Sequence, residues 1–270
     1  MKRSLSILTV VCMTGFGAFF SGLRQAFHIK EEAASPPPET TVPYVRPEGV
    51  HEAPDSDGGI VALTFDDGPG GDVTNHILDT LRSVGGRATF FCLGDRAEQY
   101  QKTLQRMVKQ GCEIGSHSYS HERLTRLSND ELVCDLSKAA QALEEFSGAA
   151  PKLMRPPYGS VSERMLAHTA MPAILWSIDS EDWRYCEILC KNRSEEQRRR
   201  DYTKVANSIL DYVQDGDIIL MHDLYVFTQD VADAVIAELA HKGWKLVTVS
   251  ELFKAKGIEP EPGEVYHCAR

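Results

Sequence analysis

The sequence predicts an α/β protein whose parallel strands form a closed or nearly closed barrel. From Gly59 onward, short apolar runs alternate with segments of helical periodicity, which is typical of parallel strands joined by helices. Seven pairs of a strand and a following helix occur in about two hundred residues, and this number suits a barrel better than an open sheet. Acidic, basic and imidazole side chains follow several of these strands, at the strand ends where parallel barrels carry their active sites.

The seven predicted strands are short apolar runs bounded by turn residues. They span residues 60–65, 88–92, 112–115, 152–154, 173–178, 217–221 and 245–249. Between the strands, Ser128 and Glu131 have the spacing of a capping box, in which each side chain bonds to the other residue's backbone N–H group. This pattern predicts the start of a helix that Gly148 can end. An apolar stripe over 231–241 predicts another helix.

Residues 1–27 are predicted to be a signal peptide or an uncleaved signal anchor. Lys2 and Arg3 precede an uncharged apolar stretch at 4–23, and no convincing small-residue cleavage site follows it. An uncleaved membrane anchor is therefore favoured, and the basic residues before it direct the rest of the chain out of the cytoplasm. We expect an extracytoplasmic protein of the bacterial cell envelope, either anchored to the membrane or secreted.

The rest of the 270-residue chain divides into a linker, one globular domain and a tail. Residues 28–58 are rich in proline and predict an extended spacer, 59–255 predict the domain, and 256–270 form the C-terminal tail. The formal net charge of −10 gives the protein no overall positive charge that would attract the phosphates of a nucleic acid. We therefore expect no nucleic-acid partner. We expect a monomer.

The chain has seven cysteines, and export permits disulfide bonds. Cys186 and Cys190 lie in a charged, loop-like segment and are the better disulfide candidates, one of them with Cys268 in the tail. The sequence leaves the connectivity open.

Two carboxylates end the first predicted strand. Asp66 and Asp67 lie in the hexapeptide TFDDGP at 64–69, and adjacent residues that leave a strand point in different directions. One carboxylate can therefore bind a metal while its neighbour remains free as a base. An ordinary Asp-Gly turn is the alternative interpretation of this hexapeptide.

Two histidines follow the third predicted strand. His117 and His121 have a metal-ligand spacing, because residues four apart lie on one face if the segment is a helical turn. Two surface histidines are the simpler explanation of this spacing alone. Together with one carboxylate, however, two imidazoles make a facial ligand set with open positions, which suits catalysis by zinc or a related divalent ion.

Three further strand ends carry polar residues. The fourth predicted strand runs into RPPYG at 155–159, a rigid turn whose cation can hold a carboxylate and whose N–H groups can line an oxyanion site. The fifth ends in IDSEDW at 178–183 and the sixth in LMHD at 220–223. Each motif alone has an ordinary structural explanation. Five of them at the carboxyl ends of strands indicate one active site.

In this order, the motifs TFDDGP, HSxxH, RPPYG, DxxDW and IILMH resemble the five motifs of the polysaccharide deacetylase family, also called nodulation-type deacetylases. The resemblance covers residues 59–253, and it is closest to bacterial peptidoglycan N-acetylglucosamine deacetylases. It implies a distorted seven-stranded (β/α) barrel and a metal-dependent hydrolase that removes N-acetyl groups from N-acetylglucosamine residues of a cell-surface polysaccharide. The metal is implied to be a divalent ion, usually Zn²⁺, with Co²⁺ or another divalent ion as the alternative.

The resemblance also implies the residues that perform the reaction. The metal ligands are expected to be Asp67, His117 and His121. Asp66 is the expected general base, which takes a proton from the attacking water. His222 is the expected general acid, which protonates the departing amine.

Supporting roles are implied in the same way for five more residues. Arg155 is expected to orient the base, and Asp179 is expected to hold the acid charged and correctly turned. The backbone N–H of Tyr158 is expected to stabilise the oxyanion. Trp183 and Leu220 are expected to form walls of the acetyl and sugar pocket.

The resemblance leaves several acetylated glycans open as substrates. An anchor and a spacer favour an attached cell wall, so peptidoglycan is the first choice, followed by chitin oligosaccharides and acetylated xylan. A catalytically silent glycan-binding module is a rival of a different class, although the chain retains both the base and the acid. The insertion at 184–202 departs from the family pattern and can reshape the rim of the substrate groove.

Overall fold

The computed structural model describes residues 44–185 and 193–270. The predicted signal or anchor at 1–27, the first part of the linker, and both Cys186 and Cys190 lie outside these residues. In the part of the chain that is described, no helix is both long and apolar enough to cross a membrane.

The described ranges contain eight β-strands, and the pairings between them are parallel. The main sheet has the order β3–β2–β1–β6–β5, while β7 also pairs with β1 and β8 pairs with β4. The strands are β1 Ile60–Asp66, β2 Thr89–Cys92, β3 Glu113–Ser116, β4 Ala173–Ile174, β5 Ile178–Asp179, β6 Ile218–His222, β7 Lys245–Val247 and β8 Val265–Tyr266.

Single-residue bridges continue the main sheet beyond β3. Met154 pairs with Ser116 of β3 on one side and with Ala173 of β4 on the other. The chain then passes from β4 toward β6, where the Ser177 N–H donates to the carbonyl of Ile218 at 3.0 Å. The sheet thus returns through β6 to β1, which makes a distorted barrel and confirms the predicted α/β class.

Two predicted strands differ from the observed ones. The run at 152–154 contributes only the bridge at Met154, because prolines at 151, 156 and 157 lack the N–H groups that a longer ladder needs. The run at 173–178 is divided into β4 and β5, since the chain changes partner between them. The eighth strand was not predicted, and two residues are too short for a periodic signal.

Seven α-helices are described, and several begin and end at residues that the sequence marks. They are α1 Asp72–Ser83, α2 Gln101–Lys109, α3 Asn129–Ser147, α4 Glu163–Leu166, α5 Glu195–Leu210, α6 Val226–His241 and α7 Val249–Lys256. The predicted capping box of Ser128 and Glu131 opens α3, and Gly148 ends it in the left-handed conformation. The apolar stripe at 231–241 forms the later part of α6.

The central strands are buried between helices. From Val61 onward every residue of β1 is buried, as continuous apolar runs in parallel sheets require. The rings of Phe65 and Phe90 stack at 5.1 Å between centroids in adjacent strands. This core contacts α1, α2, α5 and α6 and fixes the ends of the strands in space.

Packed structure extends beyond the predicted domain at both ends. Glu238 of α6 is fully buried and accepts hydrogen bonds from the Tyr44 hydroxyl (2.8 Å), the Arg46 guanidinium (2.9 Å) and the Ala53 N–H (3.1 Å). In the tail, the buried Ala269 donates its N–H to the carbonyl of residue 216 at 2.8 Å. Residues 44–58 and the tail therefore contribute to the fold around the 59–255 region.

Candidate active site and metal centre

The five sequence motifs meet at the carboxyl ends of the barrel strands. Asp66 is the last residue of β1, His117 follows β3, and Arg155 follows the bridge at Met154. His222 is the last residue of β6 and contacts the turn after β5. Neighbouring parallel strands all end on the same side, so these side chains converge.

Asp67, His117 and His121 form a compact group of potential metal ligands. The Oδ1 atom of Asp67 lies 3.3 Å from Nε2 of His117 and 3.1 Å from Nε2 of His121. One ligand atom from each residue lies within 4.8 Å of the others. Asp67 Oδ1 is buried and receives no hydrogen bond from the described residues, an arrangement that a bound cation would satisfy. The three residues therefore fit a divalent metal.

The loop that carries these ligands is not the helical turn that the spacing of the histidines predicts. After β3, the chain continues irregularly, with positive φ angles of 71° at Ser118 and 62° at His121. Asp67 likewise has a φ of 70°. A left-handed conformation at such residues costs about 1–3 kcal/mol each and is typical of functional sites. Local backbone strain, and not helical periodicity, brings the two imidazoles together.

Each histidine of the group is oriented through its second ring nitrogen. His117 Nδ1 lies 2.7 Å from the carbonyl oxygen of Arg155, which can only accept, so Nδ1 carries the proton. His121 Nδ1 lies 3.2 Å from the hydroxyl of Tyr158. Both Nε2 atoms consequently face Asp67, as metal-binding histidines require.

The carboxyl group of Asp67 is held in its charged form. Its burial raises the pKa, but the neighbouring imidazoles of His117 and His121 outweigh burial and hold the pKa of Asp67 well below its usual range. An ionised carboxylate is the form that binds a divalent cation.

Asp66 is fixed by a fully buried arginine. The Arg155 Nη1 donates to Asp66 Oδ1 at 2.7 Å and to the Thr64 hydroxyl at 2.8 Å. The guanidinium also donates to the carbonyls of Ile174 and Leu175, both at 2.9 Å. Because these bonds lock the arginine, it holds Asp66 in one orientation. The predicted contact between Arg155 and Asp66 is present.

His222 is held by Asp182, whereas the family resemblance implies Asp179. The His222 Nδ1 lies 2.7 Å from Asp182 Oδ1, and its backbone N–H donates to Asp182 Oδ2 at 2.8 Å. The Thr228 hydroxyl donates to the same Oδ2 at 2.7 Å. Asp179 instead accepts the N–H of Glu181, because the turn after β5 directs its carboxylate back to its own backbone.

Asp182 gives His222 an elevated pKa. Burial alone lowers the pKa of the imidazole, but the charge of Asp182 and the hydrogen bond to it raise the pKa to about 9. The second aspartate of the DxxDW motif thus makes the contact with His222 that is expected of the first. The motif contained both candidates, and only the loop conformation distinguishes them.

The expected oxyanion residue, Tyr158, and the two expected pocket residues, Trp183 and Leu220, differ in exposure. Leu220 is 3% exposed and lies within β6, next to Asp179 in the strand register. Tyr158 and Trp183 are 58% and 46% exposed, which is high for large aromatic side chains. Tyr158 contacts His121 edge to face, with 4.6 Å between ring centroids.

Comparisons with known proteins indicate one protein family. A protein-family model described as polysaccharide deacetylase matches residues 53–171. The peptidoglycan-N-acetylmuramic acid deacetylase PdaC of Bacillus subtilis is 39% identical over 227 residues, which are 84% of this chain and 43% of PdaC. A peptidoglycan-N-acetylglucosamine deacetylase of Bacillus cereus is 34% identical over 201 residues, 72% of this chain and 68% of that protein. The chain thus spans less than half of PdaC.

Solved structures give the same result. The structure of PdaC is similar with a TM-score of 0.67 at 39% identity, and the match covers 75% of this chain and 94% of that structure. A family 4 acetyl xylan esterase from Clostridium thermocellum, solved with a cobalt ion, is similar with a TM-score of 0.67 at 30% identity, covering 77% of this chain and 98% of that structure. The chain therefore belongs to the polysaccharide deacetylase family.

Proposed function

We propose that this protein hydrolyses N-acetyl groups of amino sugars in a bacterial cell-surface polysaccharide, with peptidoglycan as the first choice. One observation carries the proposal: the carboxylate of Asp66, held by Arg155, and the imidazole of His222, held by Asp182, lie at the same end of the barrel as the three-ligand group. The relatives from Bacillus subtilis and Bacillus cereus, which are named for acting on peptidoglycan, support this substrate class.

Asp67, His117 and His121 are proposed to hold the metal, with Zn²⁺ as the first choice. One carboxylate and two imidazoles are ligand types of catalytic zinc sites. Co²⁺ is the alternative, because the related acetyl xylan esterase was solved with cobalt. When bound, the metal supplies Lewis acidity that polarises the acetyl carbonyl and makes water more acidic.

Asp66 acts as the general base in this proposal. Arg155 holds its Oδ1, whereas its Oδ2 lies 3.8 Å from Nε2 of His117, on the side of the ligand group. The free oxygen takes a proton from the water that attacks the N-acetyl carbonyl carbon. Arg155 is thus a positioning residue that leaves one carboxylate oxygen available.

His222 acts as the general acid. Because Asp182 occupies Nδ1, the second proton of the charged ring is on Nε2. This proton passes to the amine nitrogen as the amide C–N bond breaks, which yields acetate and a free amino sugar. Asp179 contributes negative charge near the ring without a hydrogen bond to it.

The remaining assignments concern the oxyanion and the substrate pocket. The backbone N–H of Tyr158 is proposed to donate to the developing oxyanion, since a φ of 63° turns the chain sharply there. Trp183 and Leu220 are proposed as walls of the acetyl and sugar pocket. A monomer, anchored by residues 1–27 outside the cytoplasm, completes the proposal.

Acetate release from a panel of glycans tests the proposed function. The full chain, purified and loaded with zinc, is given peptidoglycan, chitin oligosaccharides and acetylated xylan. We expect faster acetate release from peptidoglycan than from the other two. Faster release from acetylated xylan would indicate an esterase, and binding of glycan without any acetate release would indicate the silent glycan-binding module.

A further inference from the structure

We propose that Arg123 forms a carboxylate-binding subsite beside the metal-ligand group and selects substrates that carry an acidic group close to the reacting acetamide. The inference rests on the proposed function and specifies its substrate class. A glycan of N-acetylmuramoyl residues fits this class, whereas an unmodified polymer of N-acetylglucosamine does not.

Arg123 lies next to the candidate metal-ligand group, against the ring of Tyr158. It lies in the loop that follows His121, and its Cζ atom is 4.3 Å from the centroid of the Tyr158 ring. The same ring contacts His121, and its hydroxyl lies 3.2 Å from His121 Nδ1. A single aromatic ring therefore separates the guanidinium from a candidate metal ligand.

The guanidinium of Arg123 has N–H groups available for a ligand. Within residues 44–185 and 193–270, no carboxylate forms an ion pair with Arg123, and its side chain is only partly buried. A guanidinium that lies over an aromatic ring uses its face, so the N–H groups in its plane remain free. The contact with Tyr158 restrains the Arg123 side chain and leaves its N–H groups able to donate to a ligand.

Two other arginines near the site, Arg184 and Arg155, have their charges neutralised. Arg184 lies over Trp183 at 5.1 Å, but it also forms an ion pair with Glu181 at 2.8 Å. Arg155 is buried and paired with Asp66. Arg123 differs from both because its positive charge has no acidic partner among the described residues, in a chain whose formal net charge is −10.

Carboxylate is the ligand that this arrangement suits. The planar fork of a guanidinium matches the two oxygens of a carboxylate. An N-acetylmuramoyl residue carries a lactyl group on the ring carbon next to the one that bears the acetamide. Its carboxylate therefore stays near the reacting group. In peptide-bearing strands the lactyl carboxyl is an amide, and the acidic groups of the peptide are the second source of the same chemistry.

Kinetics of Arg123→Gln on three substrates test the subsite. The substrates are peptide-free glycan strands with free lactyl carboxylates, peptide-bearing strands, and neutral chitin oligosaccharides. We expect KM for the peptide-free strands to rise roughly tenfold with kcat nearly unchanged, as expected for the loss of one charge-assisted hydrogen bond. Kinetics on chitin oligosaccharides should stay within about twofold of the unmodified protein, because no carboxylate is present.

Two further variants separate charge from structure. Arg123→Lys keeps the charge and should recover part of the loss. Arg126→Gln removes an exposed charge from the same loop and should leave all three substrates unchanged. A rise in KM confined to the peptide-bearing strands would assign the subsite to the peptide carboxylates and would still support it.

Several outcomes overturn the inference. Equal losses on charged and neutral glycans would show that Arg123 only supports Tyr158, and an unchanged KM on both acidic substrates would remove the subsite. If no glycan releases acetate, the proposed function fails, and calorimetry of peptide-free strands binding to the zinc-loaded protein then decides the inference. Equal affinity of Arg123→Gln and the unmodified protein in that assay would overturn it.

Discussion

Three side chains of the proposed site, those of Asp66, His117 and His222, each have one polar atom held by a neighbouring residue. The carbonyl of Arg155 accepts from Nδ1 of His117, and its guanidinium holds one oxygen of Asp66. Asp182 similarly occupies Nδ1 of His222. Because one atom is fixed, the other atom of each group faces the site. Substitution of a partner such as Asp182 can therefore test how it affects His222 while the imidazole itself stays in place.

The Asp66→Asn variant should lose activity while it keeps the metal. An amide cannot accept the proton of the attacking water, so we expect kcat to fall by about 10²–10⁴. The candidate ligand Asp67 is unchanged, and the bound metal, measured by elemental analysis, should remain at one equivalent per chain. Asp57→Asn is the matched control, because Asp57 is exposed and its φ of 45° is tolerated by asparagine. Full activity of Asp66→Asn would show that the base is another group.

The Asp182→Asn variant should shift the alkaline limit of activity to lower pH. The general acid must be protonated, so kcat/KM should fall as pH rises through the His222 pKa of about 9. Without the charge of Asp182, burial is the main influence and lowers that pKa. The Asp179→Asn variant should produce a smaller shift, because Asp179 makes no hydrogen bond to the ring. A larger shift in Asp179→Asn would restore the assignment made from the sequence.

At the scale of secondary-structure elements, the end of β6 supports the turn after β1. The backbone N–H of Asp223 donates to the carbonyl of Asp66 at 3.3 Å, and its buried carboxyl lies 2.5 Å from the Thr74 hydroxyl. A side chain at Gly68 would meet this carboxyl at 2.2 Å, so the turn requires glycine there. Asp223 therefore joins the two strand ends that carry the proposed base and acid.

Asp223 should make the metal-free protein less stable at higher pH. Burial raises its pKa from 3.8 to about 7, while Thr74 lowers it in part. The folded state thus binds the Asp223 proton more tightly than the unfolded state does. The resulting contribution to the free energy of unfolding is full below pH 4 and is lost as pH rises through about 7. Asp223→Asn should remove that decrease. Urea unfolding at pH 5 and pH 8 measures this change in the free energy of unfolding. An equal decrease in the unmodified protein and in Asp223→Asn would show that another group causes it.

Elements with strong local signals could be predicted, and short ones could not. The helix α3 follows from Ser128 and Gly148, whose side-chain and backbone preferences act within one turn. The bridge at Met154 and the division between β4 and β5 depend on partners distant in the sequence. No periodic pattern records a change of partner, so these boundaries required the structure.

At the scale of the whole molecule, the sequence predicts the class of fold and which residues of the candidate site lie together. Motifs at strand ends predict that Asp67, His117 and His121 lie together, because parallel strands end on one side of a barrel. The sequence does not distinguish Asp182 from Asp179, since the choice depends on the conformation of the turn after β5. The packing of residues 44–58 was also missed, because their prolines are typical of an extended spacer.

The N-terminal segment should loosen when its buried partner is removed. Glu238→Ala leaves the Arg46 guanidinium, the Tyr44 hydroxyl and the Ala53 N–H without their acceptor. We expect a loss of about 1–3 kcal/mol in the free energy of unfolding and faster proteolysis within 44–58. Glu145→Ala, at an exposed helix position, is the control. Unchanged proteolysis would show that the segment is held by other contacts.

Zinc titration of the chelated protein during acetate release from peptidoglycan tests whether the reaction depends on one metal ion held by the three-ligand group. We expect the chelated protein to be inactive and activity to return in proportion to bound zinc, reaching its maximum at one equivalent per chain. His121→Ala should bind zinc weakly and remain inactive at the same concentration. Undiminished acetate release by the metal-free protein, or full zinc binding and activity in His121→Ala, would contradict the account.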